Sequence, residues 1–321
     1  MKQVKSILLY FETQPDLAAL IRLADVAKVA GAKITVATVV EPATSQVTLT
    51  KGGLDFGAVE ELLIENRQLQ LDEAVNAIVN PGVPIETRVL VGDLESAILN
   101  AVITDRYDIL IKQPSPSHGL RQRLFGSVDM RLLRVCPCAV AIMHLKPEGY
   151  SNRAVVALDY PDNDQTKICL NRALLDSTAF NIVSEIAEVH IIHAWRLYGE
   201  SLLAHGRGKI SPEKLAAVKE KEETTRRKWL EHVVDEYRDS LPVDQAKIFN
   251  PKVELLHGDP TVVIPHRVKE LDADFVYIGT VSRKGISGWL IGNTAEAILD
   301  CVECSVLTLK PEDFVPPVPL T

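Results

Sequence analysis

The fold is decided by residues 6–40, which read SILLYFETQPDLAALIRLADVAKVAGAKITVATVV. Ser6–Phe11 is a short apolar run, the pattern of a strand that is buried on both faces of a sheet. Asp16–Ala30 carries apolar residues at helical spacing, and Gly31 occupies a position where helices often end. Lys33–Val40 is a second apolar run. A strand, a helix and a strand in this order predict an α/β unit with a parallel sheet.

The same alternation continues to the end of the chain. Further strands are predicted at Ile85–Val91, Asp108–Lys112, Cys138–Met143, Ala154–Leu158, Val189–Trp195, Lys252–His257, Phe275–Gly279 and Cys304–Leu309. Further helices are predicted at Val59–Val79, Leu94–Thr104 (capped by Asp93), Phe125–Val135, Asp164–Phe180, Pro212–Tyr237, Thr261–Leu271 and Ile291–Asp300. The pattern therefore predicts five strands with intervening helices in each half of the chain.

The second half repeats the first, and a repeat of this length indicates duplicated domains. At an offset of 166 residues, the aligned pairs include Gly92-Asp93 with Gly258-Asp259, Gly126 with Gly292, and Cys138 with Cys304. Upstream the offset is 147, which aligns Glu12 with Asp159. The second copy thus has about 19 extra residues, which we place around Arg196–Ser211. We predict one domain over residues 1–146 and another over 153–311, each with an open, five-stranded, mainly parallel sheet.

Composition excludes several functional classes. The chain has 35 Lys and Arg against 43 Asp and Glu, a net charge of −8, which argues against binding nucleic acid or an anionic membrane. No apolar run reaches the roughly 18 residues of a transmembrane helix. The N-terminal apolar run is too short for a signal peptide, so the five cysteines are expected to be reduced thiols. The two close cysteine pairs, Cys136-Pro137-Cys138 and Cys301–Cys304, lack partners at zinc-finger spacing, so no metal is predicted.

A glycine-containing loop follows the fourth strand of the second repeat. It runs from Gly279 through Gly285 and Gly288 to Gly292-Asn293-Thr294, where a helix begins. Ligands of open α/β sheets bind beyond the carboxyl ends of the strands, and a helix N-terminus attracts phosphate. The loop therefore predicts a phosphate site. The alternative is that the glycines serve only loop turning and helix packing.

These residues resemble the universal stress protein family, whose nucleotide-binding members carry Gly-x2-Gly-x9-Gly-Ser/Thr after the fourth strand and an Asp at the end of the first. The second repeat matches with Asp159, Gly279 and Gly292, and departs from the pattern at Ser282 and Asn293. The first repeat departs further, with Glu12 in place of the Asp and Gln113, Pro116, Gly126 and Ser127 in the loop. The phrase from Gly279 to Glu296 is particularly similar to the tandem, E-type bacterial members.

The resemblance implies a cytoplasmic stress-response protein made of two fused flavodoxin-like (HUP-like) domains, with no established reaction, no catalytic residues and no metal requirement. It implies an ATP or AMP site in the second domain, with these cofactor-binding residues: Asp159, Ala194, Gly279, Thr280, Ser282, Gly292, Asn293 and Thr294. The corresponding positions of the first domain, expected to be degenerate, are Glu12, Val39, Gln113, Pro116, Gly126 and Ser127. Single-domain relatives pair through their last strands, so the resemblance also implies an intrachain pseudo-twofold contact between Cys138–Met143 and Cys304–Leu309.

Two classes of function remain open at this point. The first is a ligand-sensing protein that binds a nucleotide or phosphorylated metabolite, or carries a lipid-like metabolite in the cleft. The second is an interaction protein whose loops have lost ligand binding, with further homo-oligomerisation as one form of association. A slow ATPase is a distant third, because the sequence contains no P-loop motif and no evident base for an attacking water.

Overall fold

The structure is a computed structural model, and it describes residues 4–12, 17–42, 56–78, 82–114, 125–144, 152–184, 188–205, 210–280, 292–312 and 314–315. The chain divides into two compact units, the first mainly within residues 1–147 and the second mainly within residues 148–312. None of the described helices has an apolar stretch long enough to cross a bilayer.

The first unit alternates strands and helices. Its elements are β1 Ser6–Tyr10, α1 Leu17–Ala30, β2 Lys33–Val40, α2 Phe56–Asn76, β3 Ile85–Val91, α3 Leu94–Asp105, β4 Ile109–Lys112, α4 Ser127–Val135 and β5 Ala139–Ile142. The strand order in its sheet is β3-β2-β1-β4-β5, and the neighbouring strands are parallel. This confirms the predicted open parallel sheet.

The second unit has the same plan with two additional short helices. Its elements are β6 Arg153–Ala157, α5 Gln165–Ser184, β7 Glu188–Trp195, α6 Glu200–His205, α7 Pro212–Asp239, α8 Val243–Ile248, β8 Lys252–His257, α9 Pro260–Glu270, β9 Phe275–Gly279, α10 Asn293–Leu299 and β10 Ser305–Leu309. Its strand order is β8-β7-β6-β9-β10, again parallel. In both units the order reverses beside the first strand.

The central strands are buried because helices cover the sheet on both faces. Leu8 and Val36 in the first unit, like Val156 and Ile191 in the second, have essentially no exposed surface. Parallel strands buried in this way read as continuous apolar runs, which is why the sequence pattern predicts them well.

Local signals set the helix ends. Asp93 caps α3 as predicted, since its carboxylate accepts a hydrogen bond from the Ser96 N–H at 3.1 Å. Gly31 follows α1 with φ of 66°, a left-handed conformation that glycine adopts without strain.

The predicted position of the extra residues in the second repeat is wrong. Arg196–Ser211 is about as long as the corresponding connection before α2, and it contains the short helix α6. The additional length lies instead in the helices, since α5 has 20 residues against 14 in α1, and α7 has 28 against 21 in α2. The helix α8, which the sequence analysis missed, adds to it.

The long helix α7 is buried in the hydrophobic core only near its C-terminal end. Ser211 caps its start, with its hydroxyl accepting from the Lys214 N–H at 3.3 Å. Its buried residues are Leu230, Val234 and Tyr237, all in the last third of the helix, where they join the core around α5 and β7. The first turns of α7 therefore contribute little to the core.

A network of charges lies at the start of β7 and β8. Glu188 accepts hydrogen bonds from Lys252, from His190 Nε2 at 2.8 Å and from Arg153 Nε at 3.1 Å. The buried His190 ring also contacts Glu254 Oε1 through Nδ1 at 2.5 Å. The Lys252 contact, followed by those of His190 and Arg153, lowers the pKa of Glu188 to about 2.

We expect Glu188→Gln to lower the free energy of unfolding of the second unit at neutral pH by about 1 kcal/mol, the scale of partly exposed ion pairs. Because the pKa of Glu188 is lowered from 4.5 to about 2, its contribution is present above pH 4.5 and is lost as pH falls toward 2. The difference between variant and wild type should therefore shrink across that window. Urea unfolding at a series of pH values measures it, with Glu220→Gln on the exposed face of α7 as control. A deficit that is independent of pH would contradict the assignment.

Candidate functional site

The candidate site lies at the carboxyl ends of the strands in the second unit. There the strand order reverses between β6 and β9, and open α/β sheets bind their ligands in a crevice at such a reversal. Asp159 follows β6, Ala194 lies near the end of β7, and Gly279 ends β9. Thr280 follows Gly279, and Gly292 precedes α10, while Ser282 lies outside the described residues.

Asp159 has a fixed backbone and an accessible carboxylate. The buried Asn171 of α5 holds the backbone, accepting from the Asp159 N–H at 3.1 Å and donating to its carbonyl at 2.7 Å. The side chain of Asp159 is 59% exposed and pairs with Lys167 Nζ at 2.7 Å. The carboxylate can therefore accept a hydrogen bond from a ligand while Lys167 remains beside it. Sequence reasoning missed Lys167 and Asn171, although both lie near the start of the helix that follows Asp159.

Ala194 offers backbone groups to the same crevice. Pairing between β6 and β7 ends at Ala157 and Ile192, where the Leu158 N–H donates to the Ile192 carbonyl at 2.9 Å. Backbone groups of alternate residues point to the same side of a strand, so those of Ala194 point as those of Ile192 do. They face the position beyond the end of β6. The N–H and the carbonyl of Ala194 thus lie on the same edge of the strand, where a donor next to an acceptor suits the edge of a planar heterocyclic base.

Gly279 is required by packing. A Cβ atom at this position would lie 2.5 Å from Leu170 Cδ2 and 2.8 Å from Leu170 Cγ, closer than real side chains approach. Leu170 is a buried residue of α5, the helix that packs over β9. The structure thus supports the packing alternative for this glycine.

Thr280 does not have the geometry expected of a phosphate contact. Its side chain is buried, and its hydroxyl donates to the Leu309 carbonyl at 3.1 Å. Its N–H donates to the same carbonyl at 2.9 Å. Both donors are directed at β10 in this structure, and binding of phosphate by Thr280 stays a prediction.

The start of α10 carries the remaining predicted residues. Gly292 is the N-cap, with φ of −50°, and has no side chain to cap the helix. Asn293 and Thr294 are exposed in the first turn. The first N–H groups of a helix have no partner within the helix, so a ligand oxygen can accept from them.

The first unit caps the corresponding helix with its own carboxylate. Asp129 in the first turn of α4 accepts from the Gly126 N–H through Oδ2 at 3.1 Å. Its other oxygen pairs with Lys112 Nζ, which also donates to the Gln113 carbonyl at 2.8 Å. Lys112 and Asp129 are 2% and 0% exposed, so this is a fully buried ion pair.

This pair explains the difference between the repeats. The residues aligned with Lys112 and Asp129 in the second unit are Ile278 and Ala295, so the buried ion pair of the first unit has no counterpart at these positions. Sequence reasoning found the first repeat degenerate from Gln113 and Pro116 and missed this pair. Gln113 is exposed at the end of β4, and Pro116 lies outside the described residues.

The other predicted positions of the first unit are placed simply. Glu12 is exposed two residues after β1, and Val39 is half-buried near the end of β2. Gly126 is the N-cap of α4, with φ of −69° and ψ of 173°, and Ser127 is the first residue of that helix. These positions therefore lie near the strand ends of the first unit, beside a helix start at which Asp129 accepts from the Gly126 N–H.

The two histidines of β7 pack on opposite faces of the strand, as their spacing predicts. His190 contacts Glu188 and Glu254, whereas His193 Nδ1 donates to the Leu158 carbonyl at 3.0 Å. The His193 ring packs against Trp229 of α7, and burial lowers its pKa below the usual value. Within the described ranges, no group of three or more His, Cys, Asp or Glu side chains is placed to hold a metal ion.

A duplicated α/β unit with a Gly-containing loop after its fourth strand defines the class, and comparison with known proteins agrees. The chain belongs to the universal stress protein family, whose model matches residues 4–144 and 151–310. Both repeats are therefore family domains.

The more similar relatives are tandem, E-type proteins. Universal stress protein E of Escherichia coli K12 is 27% identical over 269 residues, covering 82% of this chain and 80% of that protein. The universal stress protein E homolog of Haemophilus influenzae is 22% identical over 306 residues, covering 94% of each chain. A solved structure, a putative universal stress protein from Pseudomonas aeruginosa UCBPP-PA14, has a TM-score of 0.66 and 25% identity, covering 97% of this chain and 94% of that one.

We expect Gly279→Ala to destabilise the second unit by about 1–3 kcal/mol, because the added methyl group overpacks against Leu170. In a Leu170→Ala background the same substitution should cost much less, since the clashing atoms are gone. Denaturant unfolding of the four proteins of this cycle measures the coupling. If the destabilisation of the double variant equals the sum of the two single-variant values, Gly279 is not needed for packing against Leu170.

We expect Asp129→Ala to destabilise the first unit by about 3–5 kcal/mol, because Lys112 is left as a buried cation without its carboxylate. The double variant Lys112→Ile with Asp129→Ala installs the residues of the second unit and should recover most of that loss. Thermal unfolding of wild type, single and double variants tests this. A double variant at least as unstable as Asp129→Ala alone would overturn the account.

Proposed function

We propose that this family member is a non-catalytic, cytoplasmic stress-response protein that binds one nucleotide, such as ATP or AMP, or another phosphorylated metabolite, at the second unit. The observation that carries the proposal is the contrast between two equivalent helix starts. Both helices have a glycine N-cap, but at α4 the first-turn residue Asp129 accepts from the N-cap N–H, whereas the aligned first-turn residue of α10 is Ala295, which has no carboxylate. We infer that an external anion binds at the second of these helix starts.

The polar groups around that helix start suit the parts of a nucleotide. Phosphate oxygens would accept from the N–H groups at Asn293 and Thr294, where the helix dipole also favours negative charge. Asp159 would accept from a ribose hydroxyl, held in place by Asn171. The backbone of Ala194 would meet the edge of the base. The family resemblance supports the same assignment for these three regions.

Lys167 gives the site a means of adjusting its charge. It pairs with Asp159 at 2.7 Å and donates to the Tyr160 carbonyl at 3.3 Å. If the carboxylate turns to a ribose hydroxyl, the ammonium group is released from part of this pairing and can approach the ligand's phosphates. The Lys167 ammonium group and the Asp159 carboxylate would then both contact the ligand, which suits a ligand that carries hydroxyl groups as well as negative charge.

We expect calorimetric titration of the full chain with ATP and with AMP to give at most one site per chain. Gly292→Val should abolish binding, because a branched side chain would stand where phosphate approaches the backbone. The matched control is Gly126→Val, at the equivalent position of the first unit, which should leave the affinity unchanged. Asp159→Asn should weaken binding by about 1–3 kcal/mol, the range for a hydrogen bond to a charged group.

Several outcomes would count against the proposal. Two equivalent tight sites would contradict the assignment of the first unit, and equal effects of the two glycine variants would place the ligand elsewhere. Native mass spectrometry of gently purified protein adds an independent readout. A co-purifying ligand with an apolar tail that is indifferent to Asp159→Asn would favour a lipid carrier, and a fully unliganded mass with no nucleotide binding would favour an interaction protein.

A further inference from the structure

Two cysteine thiols are in contact just before β5, at the end of the first unit's sheet where its strands begin. Cys136 is the C-cap of α4, and Cys138 immediately precedes β5, with Pro137 between them. Their sulfur atoms are 3.4 Å apart, a hydrogen-bonding contact between two thiols that are not joined in a disulfide. The pair lies before β5, whereas the candidate nucleotide site lies after the strands of the second unit, so it belongs to a different part of the protein.

The Cys138 thiol is held in its neutral form. The contact with Cys136, together with burial, raises the pKa of the Cys138 thiol above its usual value. Cys138 also donates to the Ala139 carbonyl at 3.2 Å. A neutral thiol is a poor nucleophile, so Cys138 is not suited to rapid reaction with peroxides.

The second repeat shows what packing alone requires here. The residues aligned with Cys136 and Cys138 are Val302 and Cys304, which are 2% and 6% exposed. A small apolar side chain therefore satisfies the first of these positions. Cys136 is fully buried, whereas Cys138 and Pro137 are half-buried, so this segment reaches the protein surface at Pro137 and Cys138.

We propose that Cys136 and Cys138 form a two-thiol site for a soft, thiophilic, trivalent metalloid such as arsenic in arsenous acid. Each thiol condenses with one hydroxyl group of the acid, so that two S–As bonds form, two As–O bonds break and two water molecules leave. The thiol protons leave with the water, and neither arsenic nor sulfur changes oxidation state. Sulfur ligands favour soft centres of this kind.

Zinc fits this pair less well. Structural zinc takes four ligands, and in the described part of the chain no third His, Cys, Asp or Glu joins the pair in a possible metal cluster. A trivalent metalloid can keep a hydroxyl group as its third ligand, so two sulfur atoms suffice. Having both sulfur atoms in one short segment makes the second bond intramolecular, which strengthens binding by roughly 10²-fold or more.

The test uses arsenous acid alone as the probe, with the full chain in a Cys169→Ser, Cys301→Ser background that removes the two exposed thiols. Intact-protein mass spectrometry under native conditions should show one arsenic per chain, with a mass gain equal to arsenous acid less two waters. Cys136→Val and Cys138→Ala, made separately, should each weaken retention about 100-fold. Since valine is the residue of the second repeat, Cys136→Val is expected to fold, and its thermal unfolding verifies this.

Three results would overturn the proposal. These are retention by folded Cys136→Val equal to that of the parent, no arsenic adduct on the folded parent, and an adduct that forms only after unfolding in urea. The proposal is supported if the folded parent forms the arsenic adduct and both Cys136→Val and Cys138→Ala lose it. Cys304→Ala serves as a further control, because it removes the remaining buried thiol and should leave arsenic binding unchanged.

Discussion

Both units depend on the burial of parallel strands on both faces. Leu8 in β1 and Val156 in β6 have no exposed surface, so helices must cover the sheet above and below them. A parallel connection has to cross over the sheet through such a helix, which brings every strand into the sheet in the same direction. Polar residues that would be costly within the sheet can then gather where the strands end. Asp159 and its partner Lys167 are placed in this way.

The two repeats meet the same physical requirement with different chemistry. A helix start leaves N–H groups without partners, and each unit has such a start after its fourth strand. In the first unit Asp129 accepts from one of them, and Lys112 balances the carboxylate. In the second unit the aligned residues are apolar, and the packing of Ile278 and Ala295 is kept without the charges. One fold thus accommodates a buried ion pair at these two positions in the first unit and two apolar side chains in the second.

Sequence patterns predicted the strands and the repeat well because buried parallel strands leave continuous apolar runs. They also predicted Asp159, Ala194 and Gly279 at strand ends, since position at the end of a run is visible in the sequence. The direction of a side chain is not visible, so the hydroxyl of Thr280 and its bond to the Leu309 carbonyl were missed. The Lys112–Asp129 pair was missed because its members lie 17 residues apart on different elements. The six-residue helices α6 and α8 are too short to show a helical period.

The one-sided anchoring of α7 has a consequence for motion within a single helix. A helix of 28 residues is about 42 Å long, yet its core residues begin only at Leu230. Before that point it is stabilised by an ion pair from Lys219 to Glu200 of α6, and by pairs along its own surface, such as Glu222 with Arg226 and Glu223 with Arg227. Such pairs contribute only tenths of a kcal/mol each, about 0.2–0.5. Amide hydrogens should accordingly exchange with solvent along a gradient, fastest at the Ser211 end and slowest near Tyr237, with the helix opening in stages rather than as one unit.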